Sequence, residues 1–156
     1  MSRRKKSNKL DIKQDPIYNS KLVSMIINKI LLKGKKNTAQ YILYESMKKL
    51  KETTKKDPLD VLQKAILNVA PLIELKSKRV GGATYQIPIE IKQERGTSIA
   101  LSILIKSARN RTGRSMISKL YLEILDSYNN IGNSVKKRDE IHKQAEANKA
   151  FASFKM

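Results

Sequence analysis

Cysteine is missing from the 156-residue chain, which excludes disulfides, thiol catalysis and cysteine-based zinc sites. Tryptophan is missing too, and histidine occurs once, as His142. A metal site or a histidine-based nucleophile relay needs partners. The helical neighbours of His142, namely Arg138, Asp139, Ala145 and Glu146, do not supply a set. His142 therefore reads as a polar histidine on a docked helix. No apolar run approaches the ~20 residues of a membrane-spanning helix. The N-terminus, MSRRKKSNKL, has the basic start of a signal peptide but no apolar segment after it. A transit peptide would be longer and richer in serine, so a soluble chain that works where it is made is expected. Acidic residues are scarce and scattered singly, without the carboxylate pairing of acid–base catalysis. No enzyme, cofactor or metal is expected.

What remains is cationic. Lys and Arg number 33 against 14 Asp and Glu, a formal net charge of +19. A single domain with that excess repels itself and calls for a polyanionic partner, nucleic acid before an acidic membrane surface.

Residues 1–14 form a polar, basic arm without periodicity, carrying Arg3, Arg4, Lys5 and Lys6. From Asn19 the spacing becomes helical, with Leu22, Val23, Ile26, Ile27 and Ile30 in one stripe and Gly34 as the stop. A second helix carries Ala39, Ile42, Leu43, Met47 and Leu50 and ends in KETTKK. A third opens with Asp57 as cap and Pro58 in the first helical position, and runs through Leu62, Ala65, Ile66 and Val69 to Pro71. A fourth, TSIALSILIKSARNR, ends before Gly113, and Ser115 caps a fifth with Met116, Leu120, Ile124 and Leu125 inward. Gly132 and Ser134 introduce a sixth, VKKRDEIHKQAEANKAF, whose apolar content is too thin to hold it to a core without an external partner. The fold class is mainly α: a single-domain bundle of about six helices over 15–156, with the basic arm in front.

One stretch departs from this period. In ELKSKRVGGATYQIPIEI, Tyr85, Ile87, Ile89 and Ile91 alternate with Thr84, Gln86, Pro88 and Glu90, after a Gly81-Gly82 turn signal. The register puts Lys78 opposite Tyr85, Lys76 opposite Ile87 and Arg79 opposite Thr84. Cations thus stand on both faces, whereas a hairpin packed on a core separates charged from apolar. Pro88 cannot donate to a ladder, which fits an edge strand. A β-hairpin over about 73–91, protruding from the helices toward something anionic, is expected.

Three further segments carry cations beyond what helix ends need. Lys33, Lys35 and Lys36 crowd around Gly34 in KGKKN, where one would satisfy a helix C-terminus. The spacing is wrong for a nucleotide-binding loop, whose first glycine would fall at Lys29. Arg109, Arg111 and Arg114 occupy SARNRTGRS, and arginine forks match phosphate oxygens two at a time. Lys136, Lys137 and Arg138 open the sixth helix. With Arg95 and Lys119, these residues, the arm's Arg3, Arg4, Lys5 and Lys6, and the hairpin's Lys76, Lys78, Arg79, Gly81 and Gly82 make up the expected nucleic-acid-binding set.

SKLVSMIINKILLKGKKNTAQYILYES, KSKRVGGATYQIPIEI, RTGRSM, VKKRDEIHK and AEANKAFASF, in that order, resemble ribosomal protein seven of the small subunit in its bacterial and organellar form. The resemblance runs from Asp15 to about Lys155. It implies a helical bundle with a protruding hairpin that binds the 3′ major domain of the small-subunit ribosomal RNA and nucleates assembly of the head. It implies further that the hairpin lies beside the exit site for tRNA and the messenger path, with small-subunit proteins nine and eleven as neighbours, and no homo-oligomer. Leu101-Ser102-Ile103 stands where relatives often carry Arg-Trp, and Asn110 where a basic residue is common. MSRR and DPIYN are most similar to plastid-encoded members, and the many Asn, Lys and Ile residues point to an AT-rich genome. A plastid is therefore expected, with a bacterial cytoplasm as the alternative.

Rival classes fit less well. A DNA-binding regulator would show a compact helix pair with polar base-reading positions. A membrane-surface protein would line its cations along one amphipathic helix, with no cluster at loops. A nuclease or methyltransferase would need acidic metal ligands or a cofactor loop.

Overall fold

The computed structural model describes residues 12–154, so Arg3, Arg4, Lys5 and Lys6 lie outside the described residues. Helix α1 spans Lys21–Ile30, α2 Lys36–Thr54 and α3 Pro58–Val69; strands β1, Ile73–Val80, and β2, Ala83–Glu90, follow. Then come α4, Gln93–Asn110, α5, Met116–Tyr128, α6, Asn133–Ala147, and a 3₁₀ helix, Lys149–Phe154. This is the expected mainly helical bundle with one hairpin.

Local chemistry sets most boundaries. Asp57 accepts a hydrogen bond from the Leu59 N–H at 3.0 Å, with Pro58 in the first turn where its missing N–H costs nothing. The Ser115 hydroxyl accepts from the Ile117 N–H at 3.3 Å and starts α5. Three boundaries differ from the sequence reading. Helix α1 stops at Ile30, so Gly34 is not its cap but part of the turn that follows, in which the Lys35 N–H donates to the Leu32 carbonyl at 3.1 Å. Helix α4 begins at Gln93 rather than Thr97, because Gln93 to Gly96 have helical partners although only Gly96 of the four is buried. Helix α6 gives way at Asn148 to the 3₁₀ helix instead of running on to Phe151.

The core lies where α5 meets α2, α3 and α4. Leu43, Met47 and Leu50 of α2, Leu62 of α3, Leu101 and Leu104 of α4, and Leu120 and Ile124 of α5 are completely enclosed. Each such side chain stabilises the fold by about 1.5–3 kcal/mol. Helix α4 is buried on more than one side, through Ala100, Leu101, Ile103, Leu104, Ile105 and Ala108, because α1 and α6 cover what α3 and α5 leave open.

In front of α1, Asp15 is 2% exposed and organises the chain's entry into the bundle. Its Oδ2 accepts from the Ile17 and Tyr18 N–H groups, each at 3.1 Å, and its Oδ1 accepts from the Tyr44 hydroxyl of α2 at 2.7 Å. Burial, and after it the Asp15 carboxylate, push the Tyr44 phenol up to about 12, so it remains a donor throughout the neutral range. The root of the basic arm is thereby pinned to α2.

The hairpin has the register read from the sequence: Lys76 pairs with Ile87, Lys78 with Tyr85 and Arg79 with Thr84. Gly81 and Gly82 form the two-residue turn at φ +58° and +91°, both in the left-handed region that a type I′ turn demands and that side chains resist. Its outer half is exposed from Lys76 to Arg79 and from Gly81 to Thr84. Its base is not free of the helices. Ile87 is 2% exposed, β1 packs on α6, and β2 packs on the 3₁₀ helix, where the Tyr85 and Phe151 rings lie 5.1 Å apart. The hairpin is an arm only beyond its base.

Helix α6 is likewise held internally, which corrects the expectation that an external partner holds it in place of a core. Its buried apolar side chains are Val135 and Ala145 alone, too little to dock fifteen residues. Polar contacts supply the rest. Glu123 of α5, fully buried, accepts from the Ser134 N–H at 2.9 Å and the Ser134 hydroxyl at 2.5 Å. Gly132 permits this approach: a Cβ there would stand 3.0 Å from the Asp126 Cβ.

Candidate nucleic-acid interface

The basic residues divide by what their charged ends touch. Some close helix C-termini, where the last four carbonyls lack intrahelical partners and the dipole favours a cation. Arg109 donates to the Ile30 carbonyl of α1 at 3.0 Å, and Lys119 to the Arg109 carbonyl of α4 at 3.4 Å. Arg138 donates to the Asn68 carbonyl of α3 and to Asp139 at 2.7 Å. Arg111 bridges Glu123, at 2.7 Å, and Asp126. Burial works against its charge, but the two carboxylates outweigh that and hold its pKa above the usual guanidinium value. The sequence reading placed Arg111 and Arg138 toward phosphates. Their side chains are only 20% exposed, and their forks are taken up inside the protein.

A second group stands outward. Lys33, Lys35, Lys36 and Arg114 are exposed. In the turn after α1, Lys33 and Gly34 have φ +50° and +75°, and the Lys36 N–H donates to the Gly34 carbonyl at 2.8 Å. With Lys35 at φ −77° and ψ 70°, this is an inverse γ-turn that leads directly into α2. The first turn of α2 has no side-chain cap and no acidic residue. Two lysines at the positive end of a helix disfavour the isolated protein and favour an added anion.

A third group lines an open groove of about 700 Å³ between α1, α4 and α6. Lys29 comes from α1, Arg95 and Lys106 from α4, and Lys136 and Lys137 from α6. The floor is hydroxyl-bearing: the Lys29 ammonium donates to the Ser102 hydroxyl at 3.0 Å, which donates to the Ser98 carbonyl at 3.0 Å. Two of the groove's cations carry acidic neighbours, Arg95 paired with Glu74 at 3.0 Å and Lys137 with Glu140 at 2.6 Å, both pairs largely exposed and weak. Ser102 and Asn110, two positions where the chain departs from its resemblance, both line this groove. The hairpin's Lys76 and Arg79 form a further exposed cationic strip beside Gly81 and Gly82, with Lys78 exposed among them.

Lys29 and Lys106 were missed in the sequence, although a signal for the groove was present. Arg95, Ser98, Ser102, Lys106 and Asn110 recur at three- and four-residue spacing, one polar stripe along the helix. Nothing in the sequence marked Glu123 as the residue that joins α4, α5 and α6. Among the described residues, no group of three or more His, Asp or Glu side chains is arranged to hold a metal ion, and no helix is long and apolar enough to cross a membrane.

Residues 2–149 match the family described as Ribosomal protein S7p/S5e. Similar proteins include the small ribosomal subunit protein uS7c of Euglena gracilis, 57% identical, and that of Ostreococcus tauri, 52% identical, each alignment covering 99% of both chains. The small ribosomal subunit protein uS7 of the bacterium Gloeobacter violaceus is 50% identical over the same 99% of both chains. The chain thus belongs to the ribosomal protein S7p/S5e family, a constituent of the small ribosomal subunit and not an enzyme.

Proposed function

We propose that the chain is a primary binder of the 3′ major domain of small-subunit ribosomal RNA and nucleates assembly of the head. The observation that carries this reading is the distribution of the outward cations. Besides those that close helix ends, outward cations cluster on the α1–α2 turn, along the α1–α4–α6 groove and at the hairpin tip, while others, among them Lys48, Lys49, Lys51, Lys55, Lys56 and Arg114, stand elsewhere. Phosphates positioned by such a surface fix register and orientation, while the serine and asparagine floor offers neutral donors and acceptors to sugar hydroxyls. Lys33, Lys35, Lys36, Lys76, Lys78, Arg79, Arg95, Arg114, Lys136 and Lys137 then face RNA. Arg109, Arg111, Lys119 and Arg138 shape the elements that carry them. Proteins nine and eleven of the small subunit are the expected neighbours. Plastid-type and bacterial relatives both match, and the 57% identity to the uS7c protein of Euglena gracilis supports a plastid ribosome, with a bacterial one as the alternative.

Crosslinking the protein in extract and sequencing the attached RNA tests the assignment. Reads should concentrate in the 3′ major domain; an even spread over the ribosomal RNA would overturn it.

The hairpin's contribution is expected to be local, at the exit-site tRNA and the messenger path. Replacing residues 77–86 by a tight turn removes the exposed half and the Tyr85–Phe151 contact but keeps the enclosed Ile87. Stability should fall by about 1 kcal/mol, the size of one aromatic pair. Affinity for the isolated RNA domain should drop only modestly, while reconstituted ribosomes should lose reading-frame accuracy. Circular dichroism, RNA titration and a frame-maintenance assay measure the three. Loss of the helices, or wild-type decoding, would refute the arm role.

A further inference from the structure

At the joint between α3 and β1, the backbone of Leu72 is held on both sides. Its carbonyl accepts from the Ile91 N–H at 3.0 Å, closing the foot of the hairpin. Its N–H donates to Nε2 of His142 on α6 at 3.1 Å. An imidazole nitrogen that accepts a hydrogen bond carries no proton, so this contact requires the neutral ring with its proton on Nδ1. Protonation would place an N–H on Nε2, facing the Leu72 N–H, and the bond would be replaced by a repulsive donor–donor contact.

We propose that His142 is a proton-sensitive latch that fastens the foot of the hairpin to α6 when neutral and releases it when charged. The latch sits where a small change has leverage. Leu72 is the first residue after Pro71, and the hairpin's exposed tip projects from this joint. Other attachments of the hairpin include the enclosed Ile87, the Tyr85–Phe151 contact and the Arg95–Glu74 ion pair to α4, and none of these involves a histidine. Histidine is the side chain whose charge changes between about pH 5 and 8.

Charged groups around the imidazole come from every neighbouring element. Glu90 of β2, Glu146 on α6 itself and Lys149 of the 3₁₀ helix line the same groove, of about 500 Å³, as His142. Glu74 of β1 is occupied by Arg95 of α4, and Arg138, one turn before His142, is occupied by Asn68 of α3 and by Asp139. Glu123 and Asp126 of α5 are occupied by Arg111, at the other end of α6. Lys143 is exposed on α6. The two carboxylates in the groove, Glu90 and Glu146, would receive the imidazolium once it swings away from Leu72. Release therefore leaves no stranded charge.

Nuclear magnetic resonance of the full chain between pH 8 and 5 tests the latch. Ring nitrogen shifts at pH 8 should show the Nδ1–H tautomer. As the ring titrates, the Leu72 amide proton should move upfield on the same curve. Its exchange protection, corrected for the intrinsic rate, should fall roughly fivefold, the loss of one net hydrogen bond. The Ile91 amide should keep its protection, which separates release from melting of the hairpin foot. H142A should hold the Leu72 amide in the released position at every pH. H142Q, whose side-chain oxygen can accept and does not titrate, should hold it in the fastened position. An Nε2–H tautomer, a ring that does not titrate in this range, or a Leu72 amide that ignores the ring's titration would each overturn the latch. So would a pH response that persists in H142Q.

Discussion

Glu123→Ala should lower the unfolding free energy by about 3–5 kcal/mol, the range for breaking a buried charge pair from one side. Glu123 is fully enclosed and accepts from Arg111, from the Ser134 N–H and from the Ser134 hydroxyl. The substitution strands the Ser134 donors in a site without water access and leaves Arg111 with Asp126 alone. The loss is not uniform over the molecule. Val135 and Ala145 are the only apolar side chains that α6 buries, so its first turn depends on Glu123 more than α2 or α5 does. Urea denaturation should show the global loss, and hydrogen exchange should show the Ser134 and Val135 amides opening before those of α2. A loss below about 1 kcal/mol, or equal exchange in α2 and α6, would mean the carboxylate does not join α6 to the core. Arg111→Ala should act in the same direction, because Glu123 then stays buried with only neutral donors.

The internal carboxylate partners of Arg111 were not legible in the sequence, for a physical reason. An arginine just past a helix end is consistent with two destinations, a phosphate outside or a carboxylate inside, and local spacing does not separate them. Glu123 lies twelve residues on, with the α4–α5 loop between, so the pairing exists only once α5 has folded back along α4. Arg138 is a similar case: its acceptor is a backbone carbonyl seventy residues earlier, and a carbonyl has no sequence signature. By contrast, features governed by neighbours along the chain were legible. The Asp57–Pro58 start, the Ser115 cap, the Gly81-Gly82 turn and the hairpin register all follow from residues within one turn or one strand pair. The thin apolar content of α6 was also read correctly, but the inference from it failed, because polar contacts with α3 and α5 replace the missing apolar ones. The outward cations around Gly34 were visible for the opposite reason: a single lysine would suffice at a helix end, and the excess had no local use.

That excess can be tested apart from the fold. Replacing Lys35, Lys36, Lys106 and Arg114 together by Ala removes four exposed cations, none of which carries an ion pair among those found in the structure. If each neutralises one phosphate, the slope of log affinity against log salt should become shallower by about 3, from roughly 0.7–0.9 per contact. At 0.1 M salt the same counterion release makes each contact worth a little under tenfold, so affinity for the 3′ major domain should fall about a thousandfold. Stability should move the other way. Lys35 and Lys36 stand at the positive end of α2, which has no acidic residue in its first turn, and removing them relieves repulsion from both the dipole and the remaining cations. Thermal unfolding should therefore be unchanged or shifted upward by the equivalent of a few tenths of a kcal/mol. The two readouts together separate interface from scaffold: a residue that belongs to the RNA surface loses binding and keeps stability, whereas Arg111→Ala loses stability first. Should the fourfold variant unfold, or bind RNA with an unchanged salt slope, these cations do not face phosphate and the surface assigned to RNA is wrong.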